Sequence, residues 1–227
     1  MSAPAPGGPI WALVPVKQFD LAKGRLAGVL TDRERSDLAR AMLEDVLEAL
    51  AGTGALARIL VITREPAVAA LAESAGAVTV AETRRGLNAA VTTGADAALA
   101  GGAAGVAVVH GDLPLVRSAD LAAFLAGHGA APAVTLAPDR VRDGSNCLAV
   151  SPPDLLPFRF GSGSFTAHCA EARARGVEPR VVERDGLAAD VDRLEDLRAL
   201  GAAGGPGRAL AFLRGSGIAS RIRADSR

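Results

Sequence analysis

From residue 10 to residue 200 the sequence alternates short apolar runs with stretches of helical periodicity, and few folds accommodate that rhythm. The apolar runs are Ile10–Val16, Arg58–Thr63, Ala77–Ala81, Gly105–His110, Ala133–Ala137, Cys147–Val150 and Val177–Glu183, each short enough to be one buried strand. Between them lie helical patterns at Thr31–Leu50, Pro66–Ala75, Leu87–Leu99, Ser118–Leu125, Ser164–Arg175 and Arg193–Leu200. The first is the clearest: Thr31 and Glu34 have capping-box spacing, and Leu38, Met42, Val46, Leu47 and Leu50 fall on one face. Strands spaced by helices predict βαβ units, hence an α/β fold with a mainly parallel central sheet and helices on both faces. No linker divides the chain, so one Rossmann-like domain is expected over 10–214, after a flexible N-terminus at 1–9 and before a frayed tail at 215–227.

Several function classes fall away on composition. The 227 residues are 49% hydrophobic, too apolar for a disordered chain. The longest apolar runs, Ile59–Ile62 and Val106–Val109, are far below the roughly 20 residues that cross a bilayer, so no membrane partner is expected. Met1–Pro9 has neither a basic start nor a long apolar core, so no signal peptide is expected. Cys147 and Cys169 make no disulfide framework and read as reduced thiols in a cytoplasmic protein. The formal net charge of zero gives no reason to expect nucleic acid.

Ligands of open parallel sheets bind beyond the carboxyl ends of the strands, so the chemistry is sought in the loops that follow them. After the first strand, Lys17, Lys23 and Arg25 gather in one loop, and three cations suit a polyphosphate. Only two of the 25 basic residues are Lys, and both fall here, where a compact ammonium differs from the planar fork used elsewhere. After the strand at 105–110 comes Gly111-Asp112-Leu-Pro114, which presents one carboxylate in the way Mg²⁺ sites use. Asp190-Val-Asp192 places two carboxylates on one side of an extended segment with Val191 turned inward, although Asp192 also suits a helix cap. Phe160-Gly161-Ser-Gly-Ser164 opens a helix and offers an anion site with the Ser162 and Ser164 hydroxyls, or ordinary capping. Arg84-Arg85-Gly86-Leu-Asn88 opens another helix and could hold a nucleotide's base or sugar. His110, His128, His168 and both cysteines read as structural. Two anion sites and three carboxylates suit metal-assisted phosphoryl or nucleotidyl transfer.

These motifs carry a resemblance. Pro15-Val-Lys17, Ala22-Lys23-x-Arg25-Leu26, Gly111-Asp112-Leu-Pro114, Phe160-Gly161-x-x-Ser164 and Asp190-Val-Asp192 resemble, in order, the guanylyltransferases of coenzyme F-420 biosynthesis that act on phosphoenolpyruvate or 2-phospho-L-lactate. The resemblance implies a nucleotidyltransferase fold and a reaction in which the phosphate of a small acid attacks the α-phosphorus of GTP and expels pyrophosphate. It implies that Asp112, Asp190 and Asp192 hold Mg²⁺ (or Mn²⁺), and that Lys17, Lys23 and Asp112 are catalytic. Lys17, Lys23, Arg25 and Asn88 would bind the nucleotide, and Ser145, Gly161 and Ser164 the acceptor. Phosphoenolpyruvate is the expected acceptor, ahead of 2-phospho-L-lactate and 3-phosphoglycerate, because the Arg- and Ala-rich composition points to a GC-rich bacterium. A homodimer is compatible with this reading. The rival readings are a molybdenum-cofactor-type or sugar-phosphate nucleotidyltransferase, which shares the layout, and a non-catalytic nucleotide-binding module.

Overall fold

The computed structural model describes residues 8–19 and 23–224, the side chains as far as residue 222; the N-terminal expectation therefore falls mostly outside the described residues. Among the described residues seven strands form one sheet: β1 (Ile10–Pro15), β2 (Arg58–Thr63), β3 (Val78–Ala81), β4 (Gly105–Val109), β5 (Ala133–Pro138), β6 (Ser145–Ser151) and β7 (Arg180–Val181). Their order is β3-β2-β1-β4-β6-β5-β7. Every pairing is parallel except those of β6, which runs against both β4 and β5. The sheet is thus mainly parallel, with one reversed strand.

Nine helices accompany the described strands: α1 (Asp32–Gly52), α2 (Pro66–Ser74), α3 (Leu87–Ala100), α4 (Ser118–Ala126), α5 (Ser164–Ala174), α6 (Asp185–Ala188), α7 (Leu194–Ala202), α8 (Arg208–Gly215) and α9 (Ile218–Ala224). None is long and apolar enough to cross a membrane. The capping box read at α1 is present: Thr31 Oγ1 accepts from the Glu34 N–H, and Glu34 accepts from the Thr31 N–H.

Alternate residues of the strands feed two separate cores. Trp11, Leu13, Leu60, Ile62, Val106, Val108, Leu148 and Val150 face α3 and α5. On the other face, Ala12, Ala107 and Ala149 stand in register across β1, β4 and β6. That row of small side chains leaves depth for the bulky face of α1, including Met42, Leu43, Val46 and Leu47, in the same cluster. On the first face α3 approaches so closely that a Cβ at Gly94 would stand 2.7 Å from Ile62 Cδ1.

Three differences from the sequence reading have a clear physical reason. β6 begins at Ser145 rather than Cys147, because the polar Ser145 and Asn146 are buried and Ser145 pairs with Pro138 across a register shift that passes over Asn146. β7 is confined to Arg180–Val181, since Val177 is tied back to α5 through Ala172 O and Pro179 has no N–H to give. The stretch expected as a frayed tail at 215–227 carries α9, which follows α8 at the end of the expected domain; together the two seat Ala209, Leu210, Leu213, Ile218 and Ile222 in the core over α1.

Candidate active site

β1 and β4 are neighbours, yet the chain leaves β1 toward β2 on one side and enters β4's other neighbour, β6, on the other. That divergence opens a crevice at their carboxyl ends, the place where open α/β sheets bind ligands. Asp112 lies just past β4. The backbone N–H of Val191 donates to Asp112 O at 3.3 Å, which draws the 190–192 segment alongside. Val191 is buried, so Asp190 and Asp192 both face away from the core, as the two-residue spacing predicts. Asp192 does not cap α7: Asp196 does so, accepting from the Asp192 and Arg193 N–H groups. The Asp192 carboxylate is left for the site.

Lys23 completes the group. It stands in the left-handed region at φ 55° and precedes a short 3-10 turn, Gly24–Leu26, anchored by the buried Leu26. Its side chain is 6% exposed, and Nζ donates to Asp112 Oδ2 at 2.5 Å and to Asp192 Oδ1 at 2.9 Å. Arg25, exposed, approaches Asp192 Oδ2 at 3.8 Å. Burial pushes the Lys23 ammonium toward neutrality, but the charges of Asp112 and Asp192 prevail and hold its pKa above the ordinary value. Burial likewise pushes the Asp112 carboxyl up, and Lys23, with His110 next, brings it below the ordinary range. Asp190 goes the other way. Burial raises its carboxyl; the bond from Asn146 Nδ2 at 3.0 Å opposes this only in part, and the neighbouring charges of Asp112 and Asp192 add to the rise.

The fit of these residues to a divalent cation can be tested on one atom. Asp112 Oδ1 is buried and has no hydrogen-bond partner among the described residues, whereas buried carboxylate oxygens are ordinarily satisfied. Among the described residues no three His, Cys, Asp or Glu side chains form a metal cage by themselves. Mg²⁺ does not need one, because it binds through one or two carboxylates plus substrate phosphates and water. The residues fit such an ion.

The other predicted residues divide. Lys17, exposed, follows β1 by two residues and enters no ion pair among the described residues. Ser145 and Ser164 are brought together, though not toward open space: both are buried, and Ser164 Oγ accepts from the Ser145 N–H at 2.9 Å. Ser145 Oγ meets His168 Nδ1 at 3.0 Å, while His168 Nε2 accepts from the Arg159 N–H at 2.9 Å. A backbone N–H can only donate, so the imidazole proton sits on Nδ1 and is given to Ser145. Burial pushes the His168 pKa down to about 4, in keeping with a neutral ring.

The amino end of α5, read as an anion site, is met by the protein's own Asp143. Its carboxylate accepts from the Gly163 N–H at 3.0 Å and from Ser162 Oγ at 3.2 Å, and its carbonyl from the Phe165 N–H. Gly161, at φ 134°, has open space where a Cβ would be and turns the chain into this helix. Asn88 uses both ends of its amide on Phe160: Nδ2 donates to the carbonyl at 3.1 Å and Oδ1 accepts from the N–H at 2.7 Å. In this structure Asn88 therefore holds the Phe160–Ser164 loop. The sequence reading missed Asn146, which is buried and donates to Leu187 O and Asp190 Oδ1. A polar pair opening a buried apolar strand was its signal.

A family model described as guanylyl transferase CofC like matches residues 10–227. The chain belongs to that family. It is accordingly a nucleotidyltransferase, and the resemblance seen in the motifs holds over the whole fold. A phosphoenolpyruvate guanylyltransferase of Rubrobacter xylanophilus is 44% identical over 196 residues, 86% of this chain and 95% of the relative. A 3-phospho-D-glycerate guanylyltransferase of Phenylobacterium zucineum is 41% identical over 212 residues, 90% of this chain and 94% of the relative. Among solved structures, a nucleotidyl transferase from Methanothermobacter superposes with a TM-score of 0.63 at 20% identity, over 92% of this chain and all (100%) of that one. That likeness establishes the fold.

Proposed function

We propose that the protein joins GMP from GTP to the phosphate of a small phosphorylated carboxylic acid, with phosphoenolpyruvate as acceptor, and releases pyrophosphate, the guanylyl transfer of coenzyme F-420 biosynthesis. The observation that carries the reading is the buried, unpartnered Asp112 oxygen beside Lys23, Asp190 and Asp192 in the β1–β4 crevice. Family membership supports it, and the Rubrobacter relative supports the choice of acid. The Phenylobacterium relative, nearly as similar, makes 3-phosphoglycerate the second candidate. A cytoplasmic setting belongs to the same reading, supported by two buried thiols that form no disulfide.

One or two carboxylates of the set Asp112, Asp190 and Asp192, with the substrate phosphates, would hold Mg²⁺, or Mn²⁺ in its place, and the bound ion would neutralise charge on the triphosphate and the departing pyrophosphate. The Lys23 ammonium stands fixed between two of these carboxylates, a cation already in position before any phosphate arrives. Lys17 and Arg25, both exposed in the loop after β1, are free to reach triphosphate oxygens. Asn88 binds the backbone that leads to Gly161, and the Ser164–Ser145–His168 chain braces the same Phe160–Ser164 loop, so the acceptor meets a rigid surface. An acceptor phosphate oxygen forms the new bond to the α-phosphorus. The bond from that phosphorus to the β-bridging oxygen breaks, its electrons leaving with pyrophosphate. The nucleophile is already an anion, so the protein need not supply a base.

The test is pyrophosphate release from GTP with each of the three acids and with none, products resolved by mass. Release that depends on phosphoenolpyruvate, with a guanylylated acid as product, is expected. Release independent of any acid, or none with all three, overturns the proposal.

A further inference from the structure

His110 directly follows β4, one residue before Gly111 and two before Asp112. Its backbone N–H donates to Asn146 O at 3.2 Å, which fixes the residue between β4 and β6. Its ring packs on Phe160 with centroids 5.3 Å apart, and the Phe160 ring meets the edge of His168 at 4.8 Å. His110 Nε2 is buried and has no hydrogen-bond partner among the described residues. A buried nitrogen left unpaired is costly, and native proteins keep few of them.

The neighbouring unpaired atom gives this one its meaning. Asp112 Oδ1 and His110 Nε2 are both orphaned, on residues separated only by Gly111. The carboxylate oxygen can only accept or bind a cation, whereas the imidazole nitrogen can donate. Two such atoms together match a ligand that presents a cation to one and an anionic oxygen to the other, as a metal-bound phosphorylated acid does. The ring's contact with Phe160 ties it to the Gly161–Ser164 loop and to the His168–Ser145 wall, not to the loop after β1 that carries Lys17 and Arg25.

We propose that His110 Nε2 donates a hydrogen bond to an anionic oxygen of the acceptor acid and helps set which acid is taken. This rests on the guanylyl-transfer reading above. The His110→Phe variant keeps a ring against Phe160 and removes the N–H; His110→Gln keeps a donor. KM for phosphoenolpyruvate and for GTP, kcat, melting temperature and the calorimetric Kd of phosphoenolpyruvate are measured for both and for the unaltered protein.

His110→Phe is expected to raise the KM and Kd of the acid about tenfold or more, the loss of one hydrogen bond to a charged group. The GTP KM should stay within about twofold and the melting temperature should not fall, while His110→Gln recovers most of the loss. An unchanged acid KM and Kd in His110→Phe, or a GTP KM raised as much as the acid's, overturns the assignment. If His110→Phe does not fold, His110→Asn, too short to reach, replaces it under the same two outcomes. An unaltered protein that releases no pyrophosphate would sink the guanylyl-transfer reading, while the calorimetric comparison would still decide the role of His110.

Discussion

Lys23 and Lys17, alike in sequence, are opposite in the structure. Lys23 is enclosed between two carboxylates and Lys17 is exposed, so the same conservative change should act differently on each. A guanidinium is wider than an ammonium and prefers planar, bidentate contacts. Lys23→Arg should therefore displace Asp112 or Asp192 and lower kcat/KM more than tenfold, about 1.4 kcal/mol. Lys17→Arg should lose less. Equal kinetics for Lys23→Arg and the unaltered protein would show that the enclosed ammonium is not needed for turnover. Asp190 invites a second prediction. Its folded carboxyl prefers the proton, so stability declines as pH rises from the unfolded pKa near 3.8 through the raised folded value, and at pH 7 the charged form is a net strain. Asp190→Asn keeps the oxygen that accepts from Asn146 and removes that charge. It should raise the melting temperature while lowering kcat about a hundredfold or more. A lower melting temperature, or full activity, would count against it.

At the scale of elements, α8 owes its position to one residue of α1. Asp45 accepts from the Arg208 N–H at 2.7 Å and from the Ala209 N–H at 3.0 Å, capping a helix that has no side-chain cap of its own. Asp45→Ala should cost about 1–3 kcal/mol in urea unfolding, since one buried and one partly buried donor lose their acceptor. A loss below about 0.5 kcal/mol would mean that apolar packing alone holds α8. This contact also marks where the sequence stops being legible. The strands and helices before residue 175 follow from local periodicity, because each is amphipathic or buried in its own right. α8 and α9 sit among glycines and depend on a partner far back in the chain, so no local signal announces them. The site behaves alike. Loop by loop, the lysines and aspartates could be picked out as candidates for phosphate and metal chemistry. That Lys23 would pair with Asp112, 89 residues away, and with Asp192, 169 away, was not. Nor was the direction of Ser164, which is set by the Ser145 N–H across the start of β6.

Across the whole molecule, two cores separated by the sheet make stability sensitive to whatever charges beneath them. His168 is fully buried, and its pKa of about 4 lies below the ordinary 6.5, so the unfolded chain binds a proton that the folded one refuses. Stability is then fully present above pH 6.5 and declines toward pH 4, by about 3 kcal/mol. His128, also pushed down by burial and then by Arg180, adds in the same direction. The melting temperature should fall over that window, and His168→Gln should flatten the decline; an unchanged slope would locate it elsewhere. The contact between α1 and α8 has a further consequence, for the order in which the chain is made. Asp45 leaves the ribosome 164 positions before Ala209, roughly 8–30 s earlier at ordinary rates of synthesis. Throughout that interval the growing chain holds a carboxylate that the finished core will bury, and the face of α1 that α8 later covers is still open to solvent. Nascent chains halted after Ala202 should accordingly bind a hydrophobic dye and recruit chaperones, and chains released after Ala224 should do neither. α8, translated long after α1, is the helix that covers its open face.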